Sequence, residues 1–300
     1  MSEIRFEGRV AVVTGAGGGL GRAHALELAA RGAAVVVNDL GGSVNGQGSS
    51  QSAAQQVVDE IVRAGGRASA NTDDIATPEG AQRLVQAALD AYGRVDVLIN
   101  NAGILRDKSL VKMEPADFEA VVRVHLLGST WCTRAAWPVM QAQKYGRVVM
   151  TTSAAGLYGN FGQSNYGAAK LGLVGLMNSL KDEGAKHGIA VNTVAPVALT
   201  RMTEGIALGA MMAGADPEKV TAGVVFLASE ACGFSGEVLS AGGGYFSRVQ
   251  IVEGAGVRAP QGGVTPEFVA GAWDKIADMS AARPYSNASA ALAAIYAADA

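Results

Sequence analysis

The fold of this 300-residue chain is decided by Val10-Ala11-Val12-Val13, followed at once by Thr14-Gly15-Ala16-Gly17-Gly18-Gly19-Leu20-Gly21. The four apolar residues predict a strand buried on both faces, and the residues after the glycines have helical periodicity up to Gly32. Glycines between a first strand and a first helix let the backbone turn tightly, so a pyrophosphate can approach the helix N-terminus. The predicted dinucleotide-binding residues are therefore Gly15, Gly19, Leu20 and Gly21. The alternative is a plain tight turn.

The same alternation of apolar strands and helical patterns continues along the chain. It predicts an α/β fold with a Rossmann-type, doubly wound, seven-stranded parallel sheet and right-handed crossovers. The six further strands are predicted at 33–38, 68–71, 95–99, 146–151, 189–194 and 237–241. Helices are predicted at 53–64, 78–92, 115–143 and 165–187. Ligands of such sheets lie at the carboxyl ends of the strands.

The chain continues beyond the last predicted strand. We assign residues 1–244 to a Rossmann domain and residues 245–300 to a C-terminal extension of that domain, because the extension is too short for a separate core. Within it, 265–279 is predicted to be helical, with Thr265 as the cap and Pro266 at the first position. Residues 280–300 are small and polar and are expected to be loosely ordered.

Composition excludes several classes of function. Hydrophobic residues make up 49% of the chain and charged residues 17%, which is typical of a globular protein. The net charge of -3 gives no sign of nucleic-acid binding, and no apolar run suits a signal peptide or a membrane span. The two cysteines, Cys132 and Cys232, have no metal-ligand spacing. We expect a cytoplasmic protein with no metal, no disulfide, no nucleic-acid partner and no membrane partner.

Asp39 ends the second predicted strand, about 20 residues beyond the glycine loop. A carboxylate there can accept hydrogen bonds from both hydroxyls of the adenosine ribose and would repel the 2′-phosphate of NADP. No arginine lies in 38–48 to offset its charge. The sequence therefore favours NAD, although Asp39 could instead be a loop-capping carboxylate.

A second group of residues is suited to proton transfer. Tyr166 and Lys170 lie four apart on a predicted helix and share one face, and Ser153 ends the strand before it. A tyrosine with its ordinary pKa near ~10 is a poor base at neutral pH. We expect the ammonium of Lys170 to lower the pKa of Tyr166, so that Tyr166 removes a proton from a substrate hydroxyl that Ser153 holds. Alone, Tyr-x-x-x-Lys could equally be an ordinary surface pair.

These motifs together resemble the short-chain dehydrogenase/reductase family. Its glycine pattern is present at 14–21, its Asn-Asn-Ala-Gly at 100–103, and its Ser and Tyr-x-x-x-Lys at Ser153, Tyr166 and Lys170. The resemblance spans about residues 8–244. It implies further cofactor contacts from residues after the third, fourth and sixth strands and from the catalytic helix: Asp74, Ile75, Asn101, Ala102, Gly103, Tyr166, Lys170, Pro196, Ala198 and Thr200.

Two departures from the family pattern stand out. Val197 follows Pro196 where the family usually has glycine. His125 occupies the position of an asparagine that, in the family, holds a water in a proton relay with the lysine. We include His125 among the catalytic candidates, with a purely structural histidine as the alternative.

Shorter stretches at 36–42, 101–106, 123–126, 144–147 and 158–163 resemble a subfamily, the dehydrogenase domains of peroxisomal multifunctional enzymes of type 2. The resemblance implies NAD-dependent oxidation of (3R)-3-hydroxyacyl-CoA to 3-oxoacyl-CoA by a stand-alone bacterial-type homologue. The first alternative is a 17β-hydroxysteroid dehydrogenase. A 3-oxoacyl carrier-protein reductase and a non-catalytic dinucleotide sensor are further alternatives.

Substrate and assembly candidates complete the prediction. Gln163 and Asn165 are expected at the mouth of the site, and Arg106, Lys108 and Arg201 are candidates for the phosphates of CoA. Met202, Met211 and Met212 suit a flexible lid over an acyl chain or a sterol ring. The resemblance implies a homodimer or homotetramer formed through helices that contain 121–136 and 166–180.

Overall fold

The computed structural model describes residues 3–48, 52–198 and 214–297. The chain forms two compact units, Met1–Arg248 and Val249–Ala300. The first unit contains the sheet, except for the last residue of its final strand, and every described residue of the candidate site.

A single mostly parallel sheet forms the centre of the first unit, in the order β3-β2-β1-β4-β5-β6-β7-β8. Its strands are β1 Val10–Thr14, β2 Ala34–Asn38, β3 Arg67–Asn71, β4 Val97–Asn100, β5 Gly146–Thr151, β6 Ile189–Val197, β7 Val238–Gly242 and β8 Tyr245–Val249. The predicted Rossmann-type α/β architecture is confirmed. The predicted count of seven strands is one too low. The eighth strand follows a turn at Gly243 and Gly244, both with positive φ, and two-residue turns of this kind join antiparallel strands.

Helices connect the strands of this unit and cover the sheet. They are α1 Gly19–Ala30, α2 Ser52–Arg63, α3 Pro78–Tyr92, α4 Pro115–Val122, α5 Gly128–Gln143, α6 Ala154–Tyr158, α7 Ser164–Ala185 and α8 Pro217–Ala228. All residues of β1, β2 and β4 are buried, as expected for central parallel strands with helices on both sides. Because β1 lies between β2 and β4, the chain reverses its direction of winding there, and the crevice at the carboxyl ends of these strands is the expected ligand site.

The predicted helix over 115–143 is interrupted. A turn of π-helix at Arg123–Leu127 separates α4 from α5. The hydroxyls of Ser129 and Thr130 donate to the carbonyls of His125 and Leu126, at 2.6 and 2.7 Å. Side-chain bonds of this kind accompany wider helical turns, which occur frequently at functional sites.

The departure at Val197 is accommodated by the neighbouring strand. β6 continues through Val197, which pairs with Gly242 of β7. A Cβ on Gly242 would lie 2.6 Å from the Cβ of Val197, so the strand pair tolerates valine because its partner is glycine. The strand therefore extends three residues beyond its predicted end at Val194.

The second unit contains α9 Pro266–Gly271, α10 Trp273–Ile276 and α11 Ala288–Ala297. Thr265 accepts from the amide of Phe268 at 3.1 Å, as its predicted capping role requires, but the helix after it is broken into two short ones at Ala272. Within the segment 280–300, for which the sequence predicts loose order, residues 288–297 form α11. No described helix is long and apolar enough to cross a membrane.

Candidate active site

A cavity of about 560 Å³ opens at the carboxyl ends of β1, β2 and β4. Its walls come from the glycine loop, from the ends of β2, β3 and β4, and from α4 with its π-turn. Nine of the predicted cofactor residues line it: Gly15, Gly19, Leu20, Asp39, Asp74, Ile75, Asn101, Ala102 and Gly103.

The glycine loop has the shape of a cradle for an anion. Gly15 and Gly19 have positive φ, and a Cβ on Gly15 would lie 2.6 Å from Cα of Ala102. The N-cap residue of α1 is Gly18, which provides no side-chain acceptor, so the first N–H groups of the helix remain available to a phosphate. Gly21 was predicted to contact the cofactor, but it does not line the cavity. A Cβ on it would lie 2.3 Å from the carbonyl oxygen of Gly15, so this glycine allows α1 to pack against the loop.

Asp39 lies at the edge of the cavity on β2's carboxyl side. Its Oδ2 accepts from the amide of Gly17 at 2.8 Å, and its Oδ1 accepts from the amide of Gly41 at 2.7 Å. These two bonds fix the carboxylate and leave each oxygen a lone pair. The group can therefore still accept from two ribose hydroxyls. Members of the corresponding NAD-binding folds use such a carboxylate for this purpose.

Asn101 holds the glycine loop against the end of β4. Its side-chain amide donates to the carbonyls of Thr14 and Gly15, at 3.0 and 3.1 Å. The hydroxyl of Thr14 accepts from the amides of Asn101 and Ala102 in return. Thr14 is thus a residue that positions the cradle and that the sequence reasoning did not single out.

The loop that follows Asp39 is not among the site residues that the sequence predicts, but it forms one wall of the cavity. Residues 42–46 contribute Gly42, Ser43, Val44 and Gly46 to the lining. The carbonyl of Val44 accepts from the amide of Leu105 at 3.0 Å, which joins this loop to the segment after β4. Its position directly after Asp39 was the available signal in the sequence.

Ser153, Tyr166 and Lys170 converge beside α7. Ser153 caps α6, where its hydroxyl accepts from the amide of Ala155 at 3.2 Å, and its side chain acts to lower the pKa of Tyr166. Nζ of Lys170 is buried, donates to the carbonyl of Thr151 at 2.5 Å, and lies 5.4 Å from the ring centroid of Tyr166.

The pKa values of this group differ from the sequence expectation. Burial raises the pKa of Tyr166 above its ordinary value, and the hydrogen bond from Ser153 opposes that rise. Burial lowers the pKa of Lys170 to about 7. The expectation that Lys170 lowers the pKa of Tyr166 is therefore not met in this geometry. Lys170 instead becomes a group that exchanges protons near neutral pH.

His125 is buried between the segment after β4 and Tyr166. Its Nε2 lies 2.8 Å from the carbonyl oxygen and 3.0 Å from the amide nitrogen of Ile104. Its ring meets that of Tyr166 edge to face, with centroids 5.1 Å apart. Burial, followed by the nearby charge of Lys170, holds the pKa of His125 well below its usual range.

The substrate-side candidates are placed differently from the prediction. Asn165 is fully buried: its Nδ2 donates to the carbonyl of Arg106 at 3.1 Å and its Oδ1 accepts from the amide of Tyr166 at 2.7 Å. It therefore orients the start of α7, and the expectation that it lines a substrate mouth is wrong. Gln163, also buried, donates to Asp107 at 2.7 Å.

The basic candidates share one carboxylate. Arg106 and Lys108 pair with Asp117 at 3.2 and 3.0 Å, and Arg106 also lines the cavity. Pro196 and Ala198 lie at and just beyond the end of β6 and are not in the described lining of the cavity, nor are Tyr166 and Lys170. Five candidates lie outside the described residues: Thr200, Arg201, Met202, Met211 and Met212.

The sequence matches the short chain dehydrogenase family over residues 9–208. The chain belongs to this family, which uses nicotinamide dinucleotide cofactors. The protein is an oxidoreductase of the short-chain dehydrogenase type.

Individual relatives refine this short-chain dehydrogenase assignment. The chain is 50% identical to the peroxisomal multifunctional enzyme type 2 of Mus musculus over 281 residues, covering 93% of this chain and 38% of the mouse protein. It is 49% identical to a putative short-chain type dehydrogenase/reductase of Mycobacterium tuberculosis, covering 92% of this chain and 96% of that one. Among solved structures, full-length peroxisomal multifunctional enzyme type 2 of Drosophila melanogaster superposes with a TM-score of 0.83 at 39% identity, over 97% of this chain and 49% of that chain. The chain thus spans less than half the length of these multifunctional enzymes.

Proposed function

We propose that this short-chain dehydrogenase oxidises (3R)-3-hydroxyacyl-CoA to 3-oxoacyl-CoA with NAD. The observation that carries the proposal is the 50% identity to peroxisomal multifunctional enzyme type 2 over 93% of the chain. The dehydrogenase domain of that enzyme class implies this substrate. The 49% identity to a putative short-chain type dehydrogenase/reductase of Mycobacterium tuberculosis supports the same class of reaction.

The choice of NAD rests on Asp39. Its carboxylate lines the cavity and is held there by the amides of Gly17 and Gly41, so it would meet the adenosine ribose of a bound dinucleotide. A 2′-phosphate placed there would meet this negative charge, whereas two free hydroxyls would donate to it. Loop 42–46 carries no basic residue that would balance the phosphate.

The residues present fit a nicotinamide dinucleotide. The glycine loop and the uncapped start of α1 would hold the pyrophosphate, and Asp39 would hold the adenosine ribose. Asn101, Ala102 and Gly103 would form the wall nearer to Tyr166. The bound nicotinamide ring supplies the acceptor for the hydride that leaves the alcohol carbon.

The protein's own groups handle the proton. The hydroxyl of Ser153 orients the substrate oxygen, and Tyr166 accepts the hydroxyl proton as general base. Burial opposes the tyrosinate, and the hydrogen bond from Ser153 favours it. Lys170, with a pKa of about 7 and its Nζ 5.4 Å from the ring centroid of Tyr166, can in its neutral form take up the proton that Tyr166 collects and hold it as an ammonium that donates to the carbonyl of Thr151. The alcohol thus loses a hydride to the cofactor and a proton to the protein.

Family resemblance also leads us to propose a homodimer or homotetramer assembled through α4, α5 and α7. The partly exposed Leu127 and Leu171, at the start of α5 and on α7, are consistent with such an interface. Sedimentation velocity on the purified chain would measure the assembly directly. A monomer at micromolar concentration would contradict this part of the proposal.

The substrate proposal is tested by initial rates of reduced-cofactor formation. The purified protein is given NAD with (3R)-3-hydroxybutyryl-CoA, its (3S) enantiomer, or a 17β-hydroxysteroid. We expect turnover of the (3R) thioester and at least about a hundredfold lower kcat/KM for its (3S) enantiomer and for the steroid. The enantiomer directs its reacting hydrogen away from the cofactor, and the steroid lacks the thioester contacts. Turnover of the steroid alone would move the assignment to a hydroxysteroid dehydrogenase.

A further inference from the structure

His125 joins a wall of the cofactor cavity to the ring of Tyr166. On one side its Nε2 is within hydrogen-bond distance of both polar atoms of the Ile104 peptide. On the other side its ring stands at 89° to the ring of Tyr166. Gly103 and Ile104 both line the cavity, so one side chain connects the cofactor wall with the proposed base.

The space around this histidine is closed. Its exposed fraction is 1%, and a Cβ on Gly103 would lie 2.1 Å from its Cε1. Real Cβ atoms do not approach so closely, so Gly103 must be glycine while His125 keeps its place. The π-turn at Arg123–Leu127 fixes the backbone beneath the imidazole.

The imidazole is neutral, and either of its tautomers satisfies Ile104. With the proton on Nε2 it donates to the carbonyl at 2.8 Å, and with the proton on Nδ1 it accepts from the amide at 3.0 Å. Its Nδ1 has no partner among the described residues. Lys170 and Tyr166, both on α7, are the titratable groups that act on or contact it. A buried ring beside a lysine is poorly placed to take up a proton during turnover.

We propose that His125 is a positioning residue: its neutral imidazole is wedged between the Gly103–Ile104 turn and Tyr166, and fixes both the cofactor wall and the orientation of the tyrosine ring. This assigns a different role from a proton relay in which His125 itself carries charge. The inference rests on the proposed role of Tyr166, but it does not depend on which alcohol is oxidised.

Two substitutions separate the two contacts. His125→Gln keeps an amide that can bond to the Ile104 peptide but removes the ring edge from Tyr166. His125→Phe keeps a ring edge but removes the hydrogen bond. We expect His125→Gln to lower kcat about tenfold with little change in the Kd for NADH, because only the tyrosine is released. We expect His125→Phe to raise the Kd for NADH about fivefold, because the cavity wall loses its bond.

The matched control is His24→Gln. His24 is the other fully buried histidine, and its Nδ1 lies 2.8 Å from Oγ1 of Thr221 between α1 and α8, away from the proposed base. This variant should lose thermal stability while keeping kcat and the Kd for NADH within about twofold of the wild type. Equal kinetic losses in the His24 and His125 variants would show a general effect of removing a buried histidine and would overturn the proposal.

The pH profile of kcat gives an independent readout. Because His125 stays neutral, His125→Gln and His125→Phe should lower kcat at every pH but leave the midpoints of the rising and falling parts of the pH profile where they are in the wild type. Disappearance of a limb in both variants would make His125 a proton carrier and would contradict a positioning role.

A double-mutant cycle measured by thermal unfolding tests the packing of His125 against Gly103. It needs no turnover, so it remains informative even if the substrate proposal fails. Gly103→Ala should lower the Tm by about 5 °C in the wild type, because the new methyl group meets the imidazole. In a His125→Asn background the ring atom Cε1 is gone, and the same substitution should cost much less. Equal losses of Tm in both backgrounds would show that His125 does not fill the space above Gly103.

Discussion

The two ends of the central sheet use their polar groups in opposite ways. At the amino end, the buried carboxylate of Asp96 accepts from Arg9 at 2.9 Å, from Arg94 at 2.7 Å and from the amide of Val10 at 2.9 Å. Arg9 and Arg147 both lie over the ring of Tyr145, with guanidinium carbons 3.8 and 4.5 Å from its centroid. The acceptors of this end are paired by the chain itself.

At the carboxyl end the pairing is incomplete. Among the described residues, three of the four buried side-chain atoms that have no partner lie at this end, namely Oδ1 of Asn100, Nδ1 of His125 and Oγ1 of Thr151; the fourth is Nε2 of His24. Lys170 has no carboxylate paired with it among the described residues, and burial lowers its pKa to about 7. Unpaired buried groups reduce stability, so their concentration around the candidate site indicates that this end is built for ligands and chemistry. The amino end is built for stability.

The largest effect is expected when the charge at the carboxyl end is removed. Lys170→Met should lower kcat by about 10²- to 10³-fold, because the neighbouring amine that can take up the proton from Tyr166 is lost. The same change should leave the free energy of unfolding equal or higher, because an unpaired buried ammonium is replaced by an apolar chain. Steady-state kinetics and urea unfolding measure both quantities. A strong loss of stability would mean that Lys170 belongs to the structural network.

At the amino end, the expected effect is smaller and falls on the free energy of unfolding, with little change in kcat. Asp96→Asn should lower the free energy of unfolding by about 3 kcal/mol, because Arg9 and Arg94 lose the charge that pairs them. The kcat of the folded variant at low temperature should stay within about twofold of the wild type. A large fall in kcat would show that the two ends are coupled.

The sequence determined most of the sheet and the glycine cradle. Val10–Val13 with the glycines after it could only suit a buried strand followed by a tight turn, and the structure places them so. The sequence analysis does not predict β8, because it ends the Rossmann domain at Gly244, although two glycines between strand-like residues are a hairpin signal. The π-turn was missed because its residues have ordinary helical periodicity, and the bonds from Ser129 and Thr130 that accompany it are tertiary details.

Site chemistry was harder to predict than site location. Burial decides the pKa values of Tyr166 and Lys170, and burial at a single residue is not visible in a sequence. Asn165 lies next to Tyr166 in the sequence and was therefore expected near the substrate, but its bonds to Arg106 and to the Tyr166 amide make it part of the scaffold. The contact between His125 and Tyr166 joins residues 41 positions apart through two helices, and no local pattern indicates it.

The free energy of unfolding should depend on pH through His24, which lies away from both ends of the sheet. Burial lowers the pKa of His24 to about 3 from 6.5, so the unfolded chain binds its proton first as the pH falls. This group therefore contributes stability that is present above pH 6.5 and is lost toward pH 3, by at most about 1.4 kcal/mol per pH unit. His24→Gln should give a shallower decline in the free energy of unfolding between pH 6.5 and 5. Since the carboxylates titrate alike in both proteins, identical slopes would contradict the assignment.

The smallest effect concerns the choice between cofactors at the carboxyl end. Asp39→Asn removes the negative charge but keeps one oxygen for the amide of Gly17 or Gly41. We expect the ratio of kcat/KM for NAD to that for NADP to fall about tenfold, because the repulsion of the 2′-phosphate is lost. The free energy of unfolding is the control and should change by less than about 1 kcal/mol. An unchanged ratio would remove Asp39 from the cofactor site.

The central claim, that the carboxyl end carries out alcohol oxidation with Tyr166 as its base, is tested most directly by one paired measurement on Tyr166→Phe. The variant removes a single oxygen from the ring that His125 contacts, so the packing is retained. Initial rates of NADH formation from (3R)-3-hydroxybutyryl-CoA are measured beside the Kd for NADH. The account predicts a rate at least about 10²-fold lower with the Kd within about threefold of the wild type. A variant that binds NADH normally and still oxidises the alcohol at the wild-type rate would contradict it.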